Sequence, residues 1–69
     1  MDIPTKIKMA ETYAGIKEAE LARRLETSSQ AFGQRMKTGR FSSDDLEKIA
    51  SALGAEFVCF FRFPDGTDV

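Results

Sequence analysis

The stretch Glu18-Ala19-Glu20-Leu21-Ala22-Arg23-Arg24-Leu25, followed by Glu26-Thr27-Ser28-Ser29-Gln30-Ala31-Phe32, decides the fold. Leu21, Ala22 and Leu25 fall on one narrow apolar stripe, and Glu18 and Glu20 suit the positive end of a helix dipole. A short helix over 17–25 follows. Glu26-Thr27-Ser28 interrupts the pattern, and Ser28 offers an N-cap for a second short helix over 28–37. Phe32 and Met36, one turn apart, are that helix's buried pair.

On the N-terminal side, Asp2-Ile3-Pro4-Thr5 combines a capping residue with a proline at a permitted first-turn position. Ile3, Ile7, Ala10 and Ala14, with Met9 and Tyr13, then recur at helical spacing over 3–14, and Gly15 supplies a left-handed stop. On the C-terminal side, Ser42 can cap, Asp45 can reach back to its amide, and Phe41 can staple against Leu46. Leu46, Ile49, Ala50 and Leu53 keep the helical period over 43–53, and Gly54 ends it. Four helices result.

Beyond Gly54 the period changes to two. Glu56-Phe57-Val58-Cys59-Phe60-Phe61-Arg62-Phe63 reads as a strand over 56–63, rich in aromatic and β-branched residues. Phe57, Cys59, Phe61 and Phe63 share one face, expected to lie on the helical core. Val58, Phe60 and Arg62 share the other. Pro64-Asp65-Gly66 is turn chemistry, so Thr67-Asp68-Val69 can return as a stub of a second strand. The expected fold class is mainly α: one domain over 1–69, a compact four-helix bundle with a C-terminal β-strand or short hairpin.

The 69 residues suit a single small domain, and 42% apolar with 30% charged is an ordinary globular composition. The longest apolar run, Phe57 to Phe61, is too short to cross a bilayer, and no signal-peptide pattern opens the chain. One cysteine and no histidine exclude an internal disulfide, a zinc finger and a Ser-His-Asp triad. A reduced, cytosolic setting is expected, with no cofactor and no metal. Asp44 and Asp45 serve a helix start, Cys59 is expected to be a small buried apolar residue, and no catalytic constellation remains. The net charge of −1 hides an asymmetry, +3 over residues 1–41 and −4 over residues 42–69. A molecule so polarised can present one end to an anionic partner.

Two short helices joined by about three residues, within a set of four, meet the requirements of a helix-turn-helix. The first braces while the start of the second enters the major groove. Its groove-facing positions are then Ser29, Gln30, Gly33 and Gln34, opposite Phe32 and Met36. Glutamine both donates and accepts, which matches the adenine edge.

These residues resemble the Cro and phage-repressor (XRE-type) helix-turn-helix family. The resemblance rests on Glu18 to Leu25 with its Leu21-Ala22 pair, on Thr27-Ser28-Ser29-Gln30-Ala31-Phe32, on Gly39, and on Ile49-Ala50 with Leu53-Gly54; it covers roughly residues 3–54. It implies a DNA-binding transcriptional regulator, often dimeric, that reads bases with Ser29, Gln30 and Gln34. It places phosphate contacts at Lys17 and Glu18 and at Lys37, Thr38 and Arg40; Ser28 and the basic Arg35 complete the expected phosphate set. The family has glycine where this chain has Glu26, and because positive φ costs a glutamate energy, a differently shaped turn is expected. Glu18 stands where a phosphate-binding glutamine is common, which leaves Lys17 to take that contact.

Several residues also have a purely structural reading. Glu20 and Arg24 pair at i,i+4, and Arg35, Lys37 and Arg40 favour the negative end of a helix dipole whatever binds there. Gly33 is expected to answer a packing need. The strand leaves an open edge, which a second copy can cover about a two-fold axis, with Val58, Phe60 and Arg62 at the interface. The alternative function is a protein interaction module in which the Phe-rich strand augments a partner's sheet and the helices are scaffold.

Overall fold

The computed structural model describes residues 2–69. Four helices follow one another: α1 (Ile3–Ala14), α2 (Glu18–Arg24), α3 (Ser29–Thr38) and α4 (Ser43–Ala52). Each start lies within two residues of its expected position. Three starts are capped by a side chain: Asp2 accepts from the Thr5 amide at 2.9 Å, Ser28 from Ala31 at 3.0 Å and Ser42 from Asp45 at 3.1 Å. Asp45 returns the bond, accepting from the Ser42 amide at 2.9 Å, which completes a capping box.

Three helices end with the same pair of backbone bonds. In α1 the amides of Gly15 and Ile16 donate to Thr12 and Glu11; in α4 those of Gly54 and Ala55 donate to Ser51 and Ala50. In α2 the amides of Glu26 and Thr27 donate to Arg23 and Ala22. All three are Schellman closures, which need a left-handed residue just past the helix. Gly15 and Gly54 supply it without cost, whereas in α2 it is Glu26 that takes φ 59°. The turn keeps the glycine geometry with a glutamate in it, contrary to the expected change of shape.

α2 packs against α1, α3 and α4. Its Leu21 and Ala22 are buried with Ile7, Phe32, Met36 and Ile49, and Leu25, Phe41, Leu46 and Leu53 close around them. Leu21 and Phe32 are wholly inaccessible. Tyr13, by contrast, is 96% exposed and Met9 is exposed, so only the Ile7 side of α1 is buried. The residue one turn beyond Ile7 on that side is Glu11, a carboxylate inside the core stripe.

The strand over 56–63 does not form. Among the described residues there is one isolated antiparallel bridge, Arg62 with Asp68, flanked by bonds between Phe61 and Val69 and between Phe63 and Thr67. The Pro64–Gly66 turn closes it, with the Gly66 amide donating to Phe63 at 2.9 Å. Residues 67–69 pair back as far as Phe61. Among the described residues, nothing pairs with 57–60. The expected apolar face does not settle on the helices either: Cys59, Phe61 and Phe63 are exposed, Phe61 at 75%. Phe57, with Glu56 before it, lines an apolar groove between α1 and α4 together with Ile3, Ile7, Ala10, Ile49 and Leu53. The arm lengthens the molecule to 44 × 23 × 19 Å, with a radius of gyration of 13.3 Å. A chain of this length packed throughout would have about 11 Å.

Candidate nucleic-acid interface

The burial of α2 makes it a brace. With Leu21 and Ala22 inaccessible on its inner side, its outer side carries Glu20, Arg23 and Arg24. Arg23 donates to Glu20 at 2.9 Å and Arg24 to the same carboxylate at 2.9 Å. Arg24 also donates at 2.8 Å to the Ala52 carbonyl, which ties α2 to the end of α4. The two guanidiniums, Arg23 first, hold the Glu20 carboxyl down to about 2. Both arginines are thus committed to the protein.

α3 is anchored at both ends and on one side. Ser28 caps its start, Gly39 in the left-handed region closes its end, and Phe32 and Met36 lock its inner face. The Gly39 backbone lies against Pro4 of α1, where an added Cβ would stand 3.6 Å from the proline ring. The outward face then carries Ser29, Gln30, Gln34 and Lys37, all exposed. Among the described residues, none of these side chains is hydrogen-bonded to the protein.

Gly33 lies beside this row. A Cβ built there meets nothing within 4 Å, so packing does not require glycine at this position, contrary to expectation.

The expected phosphate residues divide into two groups. Lys17 at the start of α2, Lys37 in the last turn of α3 and Arg40 just beyond that helix are exposed and free of ion pairs among the described residues. Ser28 and Thr38 are exposed but occupied, Ser28 by its cap and Thr38 by donating to the Arg35 carbonyl at 3.0 Å and accepting from the Arg40 amide. Arg35 is turned inward. Its guanidinium lies 2.6 Å from Asp45 and 5.1 Å from the centre of the Phe41 ring.

Glu11 is the group that sequence reasoning missed. It is 7% exposed, and among the described residues its Oε2 has no hydrogen-bond partner. Burial pushes its carboxyl up from the usual 4.5, the negative Glu18 adds to this, and Lys8 opposes it. Its position four residues after Ile7 was the available signal, since a charged residue in a core stripe breaks helical patterning. Glu11 opens into a shallow pocket at the α1–α2 corner, shared with Thr12, Ile16, Lys17 and Glu18.

The arm presents its own surface. Val58 and Phe60 are exposed, and Arg62 pairs with Asp68 at 2.6 Å while lying 5.1 Å from the Phe60 ring centre. The backbone groups of Phe61 and Phe63 face the return segment, so those of Arg62 between them stand on the open side.

Among the described residues no group of three or more Cys, Asp or Glu side chains is placed to hold a metal ion, and no helix is long and apolar enough to cross a membrane. No protein-family model, curated protein or solved structure matches the chain.

Proposed function

We propose that this chain is a transcriptional regulator of the cytoplasm that reads double-stranded DNA with α3 in the major groove. One observation carries the reading. Ser29, Gln30 and Gln34 stand outward and unbonded on a helix whose opposite face and both ends are fixed. Exposed polar side chains held in register without a protein partner suit recognition of base edges. Lys17, Lys37 and Arg40 supply phosphate contacts, with Ser28 and Thr38 beside them; Arg35 supports the fold rather than the contact. Selection from randomised duplex DNA at low salt, with the enriched pool retested across a salt series, tests this. Enrichment of a motif with steep salt dependence is expected, and no binding at low salt would refute it.

A second reading is favoured by the exposed arm. Its open edge at Val58, Phe60 and Arg62 suits pairing with a second copy about a two-fold axis, which gives a homodimer with two recognition helices. Sedimentation across a range of concentrations tests it, and a monomer at high micromolar concentration refutes it. An arm that captures another protein instead would make the chain an interaction module, whose binding would lack steep salt dependence.

A further inference from the structure

Of the five glycines in the chain, Gly15, Gly39, Gly54 and Gly66 take φ between 68° and 89°, where a side chain is strained. Gly33 has an ordinary helical backbone in the middle of α3. Conformation does not ask for glycine there, and neither does space, since a Cβ built on it meets nothing within 4 Å. In a helix interior glycine weakens the fold relative to alanine. Gly33 therefore carries a cost that no contact among the described residues offsets.

Its place on the helix supplies a reason. At about 100° per residue, the outward arc of α3 runs in the order Ser29, Gly33, Lys37, Gln30, Gln34. The four side chains of this arc are exposed, and Gly33 is half-buried among them. The two shortest residues stand together at one side of the arc and the three longest at the other. All five positions can meet one row of base edges only if the backbone lies nearest where the side chains are shortest.

We infer that Gly33 is the point of closest approach between α3 and the base edges, and that its missing side chain lets the short Ser29 reach them. The inference rests on the DNA reading of α3. A helix held off by one added carbon keeps its lysine contacts, because long flexible stems follow a phosphate outward. It loses the serine contact, because a hydroxyl on a single carbon has no reach to spare. Gly33 thus sets specificity as a positioning residue, through the backbone approach that glycine permits.

The test measures affinity at fixed low salt for the selected duplex and for a scrambled duplex of the same length. It uses the full chain, Gly33→Ala and Gly33→Leu, both replacements being good helix formers, and urea midpoints are read alongside. Gly33→Ala is expected to raise the midpoint and yet bind the selected duplex at least about tenfold more weakly, the size of one lost base contact. Gly33→Leu should lose more. Both should hold the scrambled duplex within about threefold of the unaltered chain, since that binding is made through phosphates. A glycine with a purely structural role would move the midpoint and leave the ratio of the two affinities alone. An unchanged ratio in Gly33→Ala overturns the inference and leaves the DNA reading standing. Failure of the unaltered chain to enrich or bind any duplex overturns the DNA reading, and the inference with it.

Discussion

Arg35, in the last turn of α3, lies 2.6 Å from Asp45, the residue that completes the capping box of α4. One carboxylate therefore closes the start of one helix and holds the end of the helix before it. The Ser42 amide, more than Arg35, keeps the Asp45 carboxyl below its usual value. This folded-state lowering stabilises the protein above the unfolded value of 3.8 and is lost as pH falls through the folded value. Arg35→Ala is expected to lower the thermal midpoint at pH 7 by a few degrees, with a smaller drop at pH 3. Arg35→Lys should recover only part of it, because an ammonium neither forks onto a carboxylate nor stacks on the Phe41 ring as a guanidinium does. Thermal melts at the two pH values check both.

Glu26→Gly is expected to stabilise the protein by about 1 kcal/mol, the cost of holding a side-chain-bearing residue in the left-handed region. In a domain this small that is a rise of about 4–8 °C in midpoint. Calorimetry on the two proteins settles it, and an unchanged or lower midpoint would mean that the Glu26 side chain offsets its own backbone strain.

Gly33→Ala should also stabilise, by about 1 kcal/mol, since the open space around Gly33 leaves only the helix propensity difference. Denaturant titration measures the gain. Weaker DNA binding alongside it would place this part of α3 against the duplex.

Gln34→Ala and Lys37→Ala are expected to differ in kind. The first should relax preference at one base pair, at a cost of about 1–3 kcal/mol on the preferred sequence. The second should weaken all sequences alike and reduce the salt slope by about one. Binding to a panel of single-base variants across salt separates them, and equal loss on every sequence for both would remove Gln34 from the reading set.

Glu11→Gln is expected to be more stable than the unaltered chain at pH 7 and indistinguishable from it at pH 4. The folded protein holds the Glu11 proton more tightly than the unfolded chain does. Stability from that difference is complete below the unfolded value of 4.5 and lost as pH rises through the folded one. Urea titrations of both proteins across this range read the crossover.

How much of this was legible depended on how local each determinant is. The helix starts are written in caps that act over three residues: Asp2 on Thr5, Ser28 on Ala31, Ser42 on Asp45. The buried residues Ile7, Leu21, Phe32, Met36 and Ile49 follow from periodicity alone. The arm failed because a strand is a relation between two segments, and Phe57 to Phe60 look like one without a partner among the described residues. Glu26 misled because a penalty on a single residue is outweighed by a closure that bonds two amides. Gly33 misled in the other direction, since a residue's freedom cannot reveal whether a neighbour needs it. At the candidate interface, the exposed row on α3 was readable, but the capture of Arg35 by Asp45 and Phe41 was not, being a contact between helices.

The outward row of α3 has a consequence for how such a chain can change over generations. Since, among the described residues, nothing is bonded to the side chains of Ser29, Gln30 and Gln34, exchanging them for other helix-compatible polar residues leaves caps, core and ion pairs as they are. Surface substitutions of this kind usually shift stability by no more than about 0.5 kcal/mol. Duplicated copies of the gene could therefore diverge at these three positions while the rest of the sequence stays fixed, each acquiring a different preference on an unchanged frame.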